Sequence, residues 1–191
     1  NMAVQDMMAG ACLALQLNPL LTQGQIEAIE AHGSDAQKAL YLPKLISGEW
    51  SGTMVLTEPQ AGSDVGALRT RAEPLGDGSY AITGQKIFIT WGDNDVFANI
   101  SHAVLARLPD GGEGTKGISL FLVPKFLPDA DGNPGVPNKL KAVSLEHKLG
   151  IHGSPSCTVS FDDCYVGPDH LLGAEGDGFK IAMSTLDGGR I

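Results

Sequence analysis

Directly after the apolar run Thr53-Met54-Val55-Leu56 the chain reads Thr57-Glu58-Pro59-Gln60-Ala61-Gly62-Ser63-Asp64. The apolar run has the character of a strand, and Pro59 turns the chain into a loop of small residues. Gly62 allows a backbone N–H to come close to a ligand. Ser63 brings a hydroxyl donor and Asp64 a local acceptor. Such a loop suits a phosphate or the polar edge of a flat cofactor. The same residues also suit an ordinary strand-to-loop corner closed by an Asx-type turn.

A second stretch with chemical potential follows, Gly84-Gln85-Lys86-Ile87-Phe88-Ile89-Thr90-Trp91-Gly92. Phe88 and Thr90 stand two apart on a strand, so both side chains are expected on one side. An aromatic beside a hydroxyl can cover a flat ring and hydrogen-bond its edge. It can equally form a cross-strand aromatic pair with threonine at a β-favoured position. Near the C-terminal end, in Asp187-Gly188-Gly189-Arg190, the planar fork of Arg190 suits a phosphate or an ion pair on a helix surface. His147 and His152 lie on one loop and read as surface or hydrogen-bonded structural residues. No further ligands stand at zinc spacing, so no metal is expected.

These residues need elements to position them. Residues 1–50 read as helical. Residues 3–17 are expected to form a helix that stops at Asn18-Pro19. Thr22…Gln25 and Ser34…Gln37 each fit a capping box opening a further helix, and Pro43 is expected to force a break or a new turn. Residues 51–172 change character, with Gly, Pro and Asp punctuating short apolar runs, as in an all-β unit. Strands are expected over 68–75, 80–90, 97–108 and 117–123. A turn is expected at Gly76-Asp77-Gly78, and a bulge or a second turn at Thr83-Gly84. Residues 118–123 are nearly all apolar, which implies burial on both faces. Residues 126–141 read as a long polar loop; its Asp129-Ala130-Asp131-Gly132 start lacks the later glutamate of a calcium loop. Cys157, Val159 and Phe161 alternate with polar residues as a half-buried strand. Helical spacing returns at Phe179, Ala182, Met183 and Leu186, and the chain reads as part of a longer protein.

The composition sets bounds. With 191 residues, 42% of them apolar and 18% charged, the chain is that of a soluble globular protein with one good core. The net charge of −9 argues against nucleic-acid binding. Cys12, Cys157 and Cys164 are odd in number and show no CxxC pairing, as in an intracellular protein with reduced thiols. The longest apolar run, residues 7–15, is well short of the ~20 residues of a membrane span. No basic segment precedes it, so no signal peptide is expected.

Together, TEPQAGSD and GQKIFITWG resemble the flavin-binding segments of acyl-CoA dehydrogenases. The stretches from Gly33-Ser34-Asp35 to Gly48-Glu49-Trp50, His147-Lys148-Leu149-Gly150-Ile151, and Gly178-Phe179-Lys180 to Arg190 fit in the same order. The resemblance therefore covers essentially the whole chain. It implies an α+β fold, with an antiparallel β-barrel or sandwich-like middle domain flanked by helices. Residues 1–50 would end the N-terminal helical domain, 51–172 would form the middle β-domain, and 173–191 would begin the C-terminal helical domain.

The resemblance also implies FAD as cofactor. Leu56 and Thr57 fall at positions that bind the pyrimidine end of the flavin, with Gly62 and Ser63 in the same cofactor-binding segment. Phe88, Ile89 and Thr90 belong to the flavin segment, Thr90 at the position whose hydroxyl and amide approach flavin N5. Phe88 is a departure, since many members have Trp there. Ser63 also matches a position near the acyl-CoA chain. Ser154 aligns with a substrate-contacting serine, Phe179 lies beside the acyl-pantetheine channel, and Asp187 and Arg190 lie on the CoA-binding helix. Gly189 stands where some members carry the catalytic glutamate. No catalytic base is thus expected in this chain; the glutamate is expected beyond Ile191.

The implied reaction is α,β-dehydrogenation of an acyl-CoA thioester to the trans-2-enoyl-CoA, with electrons passed to an electron-transferring flavoprotein by a dimer or tetramer. An acyl-CoA oxidase using oxygen is the alternative, and a non-catalytic nucleic-acid-binding relative is disfavoured by the charge. The location implied is the cytoplasm of a bacterium, or the mitochondrial matrix of a eukaryote. The 143–152 and 126–141 stretches resemble larger bacterial members, whereas Leu186-Asp187-Gly188-Gly189-Arg190 resembles the short-chain branch. The isolated 191-residue piece is expected to hold FAD poorly and to be inactive.

Overall fold

Ser34 opens a helix as its sequence context requires. Its hydroxyl accepts the Gln37 N–H at 3.2 Å, and Gln37 Oε1 accepts the Ser34 N–H at 2.9 Å, a closed capping box. In the computed structural model, which describes residues 2–188, this helix is α2 (Asp35–Ile46), and it runs through Pro43. The break expected there does not occur. Proline removes only the hydrogen bond to the carbonyl of Ala39, an exposed residue that water can reach. The buried Tyr41 and Leu45 hold the helix onto the core on both sides of Pro43.

The first helix departs further from expectation. α1 (Met2–His32) is one element with Pro19 inside it, interrupted at Cys12 (φ −160°, ψ 92°). Thr22 caps nothing. Its hydroxyl donates to the Asn18 carbonyl at 3.2 Å and accepts the Gly52 N–H at 3.0 Å. A tertiary bond to the sheet takes the group that local spacing assigns to a helix start.

The strands are β1 (Trp50–Val55), β2 (Arg71–Pro74), β3 (Tyr80–Thr90), β4 (Asn99–Arg107), β5 (Ile118–Pro124), β6 (Phe126–Pro128), β7 (Pro134–Pro137), β8 (Leu140–Leu145), β9 (Ser156–Val166) and β10 (Leu171–Leu172). A last helix, α3, covers Gly178–Gly188. The main sheet runs β10-β5-β4-β2-β3-β9-β8 and does not close. Most pairs are antiparallel, but β1 lies parallel to β4, from Trp50 beside Asn99 to Val55 beside Val104. The sheet is therefore mixed within an α+β fold. Residues 126–141 are not one loop: β6 and β7 form a hairpin and β8 begins at Leu140. Asp129 Oδ1 closes the hairpin turn by accepting the N–H groups of Asp131 and Asn133 at 2.9 and 2.8 Å.

β4 and β5 sort their side chains between two cores. Ala103, Leu105, Leu120 and Leu122 join Ile29, Tyr41, Leu45, Trp50 and Ile181 beneath the helices. Val104, Ala106, Phe121 and Val123 join Ile82, Ile89, Val159, Phe161 and Val166 on the other face. That is why β5 is apolar without alternation.

His102 is the exception on β4. It is fully buried, with Nδ1 2.7 Å from Thr53 Oγ1. Burial pushes its pKa down to about 4, against a partial upward pull from Asp93. The unfolded chain takes up this proton near pH 6.5, so the stabilisation is complete above that value and is lost as pH falls toward 4. Between pH 7 and pH 5 the loss should reach about 2 kcal/mol in urea unfolding. In a His102→Gln variant, whatever its absolute stability, the dependence over that interval should shrink by about that amount, the remainder belonging to His170, whose pKa burial also draws down.

Candidate functional site

The 57–64 loop leaves β1 around a buried ion pair. Lys86 Nζ lies 2.8 Å from Glu58 Oε1, with side chains 0% and 3% exposed. The carboxylate also accepts the N–H groups of Arg69 at 2.7 Å and Thr70 at 3.0 Å, and the Gln60 amide at 2.6 Å. Burial alone would raise the Glu58 pKa; the Lys86 charge and these hydrogen bonds outweigh it and hold it at about 2. Burial draws Lys86 downward, and Glu58 pulls it back. The Lys86 ammonium also donates to the Leu56 carbonyl at 3.0 Å, and the Ile87 N–H donates to the Thr57 carbonyl at 2.9 Å. Leu56 and Thr57 are thereby fixed beside the middle of β3.

Glu58 and Lys86 form a buried pair at the candidate site that the motif reading alone does not single out. A signal is present in the sequence: Lys86 is the one charged residue of the 80–90 strand, where a buried lysine needs a partner, and the preceding motif supplies the carboxylates Glu58 and Asp64.

The end of β3 is irregular. The bulge expected at Gly84 is there, and a second register shift falls between Lys86 and Ile89. Phe88 has no partner in β9, adopts φ 59° and is 60% exposed. Thr90 is half-buried, whereas Ile89 and Trp91 are buried. The Ile89 side chain belongs to the second core, which leaves its backbone as the part a ligand can meet. Gly62 and Ser63 are exposed, and a Cβ on Gly62 would meet nothing within 4 Å.

Ser154 comes to the same end of β3. The Pro155 carbonyl accepts the Trp91 N–H at 2.7 Å. Lys148 Nζ donates to the Ser154 carbonyl and, at 3.2 Å, to Ser156 Oγ. Ser154 is 1% exposed, yet its Oγ has no hydrogen-bond partner among the described residues. Phe179 is half-buried in the first turn of α3, against the helical core. Asp187 lies in the last turn of α3, with its side chain outside what is described, and Gly189 and Arg190 lie outside the described residues.

The fold thus joins Leu56–Thr57 to Lys86–Ile87, which precede Phe88, and joins Trp91, which follows Thr90, to Pro155, which follows Ser154. A cavity of about 300 Å³ opens around Lys116 and Glu175, and one of about 450 Å³ opens around Asp93 and Lys125 and reaches Pro155. Leu56, Thr57 and Thr90 are half-buried, and Phe88 is exposed. An exposed aromatic, flanking threonines and an unpartnered buried hydroxyl fit a flat ring with a polar edge and a second ligand beside it. Among the described residues no group of His, Cys, Asp and Glu is placed to hold a metal, and no helix is long and apolar enough to cross a membrane.

A family model described as "Acyl-CoA dehydrogenase, middle domain" matches residues 53–164. The chain is 48% identical over 188 residues to the 3-methylmercaptopropionyl-CoA dehydrogenase of Ruegeria pomeroyi, covering 98% of this chain and 32% of that protein. The solved butyryl-CoA dehydrogenase of Megasphaera elsdenii superposes with a TM-score of 0.82 at 33% identity, over 97% of this chain and 45% of that one. A structure reported as the electron transferring flavoprotein of Acidaminococcus fermentans holds a chain with a TM-score of 0.72 at 39% identity, over 86% of this chain and 39% of that one. The chain spans about a third of the length of the curated relatives it matches.

Proposed function

This chain belongs to the acyl-CoA dehydrogenase family, and on that footing we propose that the protein carrying it dehydrogenates an acyl-CoA thioester between Cα and Cβ with FAD. The observation that carries the reading is the buried Glu58–Lys86 pair, which pins Leu56 and Thr57 beside an exposed, strained Phe88. Bound flavin supplies the acceptor for the hydride from Cβ.

This chain's residues hold and orient. Leu56 and Thr57 meet the polar edge of the ring, with Gly62 and Ser63 in the open space along the loop. Phe88 covers the ring, and the Ile89 backbone and the Thr90 hydroxyl meet its reacting side. Ser154 offers its unpartnered Oγ to the substrate, Ser63 and Phe179 flank the acyl-pantetheine chain, and Asp187 and Arg190 take the CoA end. Glu58 does not serve as the base that removes the α-proton. A carboxylate held at about 2, with its oxygens already bonded to Lys86, Gln60 and two amides, is too weak a base and has no free lone pair facing a ligand. The base is assigned beyond Ile191, and the electrons go on to an electron-transferring flavoprotein. The likeness to a chain in the Acidaminococcus structure supports that partner, and a dimer or tetramer is the proposed assembly.

The test is anaerobic mixing of the purified protein with butyryl-CoA and with 3-methylmercaptopropionyl-CoA. Bleaching of the flavin absorbance and formation of the enoyl-CoA are expected with at least one. A protein that holds no FAD, or whose flavin neither thioester bleaches, overturns the reading. Rapid reoxidation of the reduced protein by air would identify an oxidase instead.

A further inference from the structure

Trp91 has a backbone conformation that its side chain disfavours. Its φ is 54°, in the left-handed region where a bulky residue is a true outlier. That conformation belongs to the turn that ends β3, where the Gly92 N–H donates to the Ile89 carbonyl at 3.1 Å. Glycine or asparagine would make the same turn with less strain. The indole is nevertheless only 6% exposed, and its surroundings explain what holds it. Its backbone N–H donates to Pro155 at 2.7 Å. Its Nε1–H donates to the Ala14 carbonyl of α1 at 3.0 Å. Its ring meets Phe97 edge-on, with centroids 6.5 Å apart.

Ala14 also bounds the serine turn, since a Cβ on Gly153 would lie 3.3 Å from the Ala14 Cβ. One residue therefore joins α1, through its indole, to the 153–155 turn, through its backbone N–H, at the end of β3. Immediately before Trp91 stands Thr90, and immediately before Pro155 stands Ser154, whose buried Oγ has no partner among the described residues. Strain of this kind persists where the surroundings over-determine it, and such places cluster at ligand sites.

We propose that Trp91 is a positioning residue: it staples Thr90 and Ser154 to α1, so that the two hydroxyls face cofactor and substrate in a fixed register. The proposal rests on the assignment of Thr90 and Ser154 to the flavin and substrate. The indole N–H does the locating. An apolar ring packs at many heights along a helix, whereas a hydrogen bond to one carbonyl selects a single height.

Trp91→Phe, made in the protein that carries this chain, keeps a ring and removes the donor. Anaerobic flavin reduction by the better of the two thioesters should slow about fivefold, the effect of one lost neutral hydrogen bond. The thermal midpoint should move by no more than about 3 °C. In the flavin-free protein, amide exchange across residues 151–154 should quicken by a similar factor. Trp91→His, which retains a ring N–H on a smaller ring, should fall between Trp91→Phe and the parent. Ser154→Ala should slow reduction by itself, and adding Trp91→Phe to it should cost clearly less than the full fivefold, because the tryptophan acts through the serine as well as through Thr90. The proposal is overturned if Trp91→Phe reduces at the parent rate with unchanged exchange, or if the two substitutions multiply independently. A parent protein that neither thioester reduces removes the assignment of the site itself, which is a different outcome.

Discussion

Replacing Lys86 with methionine is expected to cost the fold about 3–5 kcal/mol, the penalty for leaving a buried charge without its partner. The Glu58 side chain is 3% exposed, so water cannot take the place of the ammonium. The Arg69 and Thr70 amides and the Gln60 side chain still donate to the carboxylate, which sets the cost inside that range and not above it. The Leu56 carbonyl loses its ammonium donor as well. Glu58, no longer held down by the Lys86 charge, becomes easier to protonate, so the variant should lose less stability than its parent as pH falls below 4.5. The parent loses the Glu58 contribution progressively from about pH 4.5 and has lost it by about pH 2. Adding Glu58→Gln should restore about half of the loss, since a neutral amide needs no counter-charge. Urea unfolding of the parent, both single variants and the double variant measures all of this. A loss below about 1 kcal/mol for Lys86→Met would mean that the pair is solvated and does not pin the loop. Flavin retention should fall in step with stability, because the pair fixes the backbone of Leu56 and Thr57.

Why this pair escaped the sequence reading, while much else did not, is a matter of range. The Ser34 capping box closes within one helical turn, and every group it needs lies within three residues. The Gly76-Asp77-Gly78 turn is equally local: both glycines have positive φ, and Asp77 accepts the Ser79 N–H at 2.9 Å. The apolar run of β5 and the alternation of β9 reflect burial on two faces and on one, which composition records directly. The bulge at Gly84 was legible because a Cβ there would sit 2.3 Å from Thr70 Oγ1, and only glycine fits.

The failures have the opposite character. Thr22 has the spacing of a cap but is taken by Gly52, a partner on another element. Pro43 has the local signature of a break, but core packing on both sides overrides it. Residues 126–141 are polar, and polarity describes an exposed hairpin as well as it describes a loop. The candidate site follows the same rule. Its flat-ring face was visible in residue types, but the Glu58–Lys86 pin and the Trp91 staple depend on contacts across the fold.

Gly178 tests how the substrate side of the site is held. It is the first residue of α3, and a Cβ placed on it would lie 2.3 Å from the Ser119 carbonyl carbon and 2.5 Å from the Leu120 nitrogen. Both are backbone atoms of β5, the strand buried on both faces, so they have nowhere to go. The helix must move instead. Ile181 and Ala182, 2% and 0% exposed, then lose their fit against the core. Thr185 shifts against Gly24 of α1, where a Cβ would come within 2.9 Å of its methyl. Gly178→Ala is therefore expected to destabilise by about 3 kcal/mol, at the upper end of overpacking costs. Helix propensity alone gives the opposite sign, because alanine in a helix is favoured over glycine by about 1 kcal/mol. The sign of the measured change separates the two effects. Displacing α3 also displaces Phe179 and the residues that follow it, so KM for the thioester should rise more than about tenfold. Gly62→Ala is the counterpart, since its Cβ meets open space. It should leave the unfolding midpoint unchanged and lower flavin retention, because the space it fills is the space assigned to the cofactor. If Gly178→Ala proves stabilising, α3 is not seated on β5 as described. If Gly62→Ala holds flavin as well as its parent, the 57–64 loop does not lie against the ring.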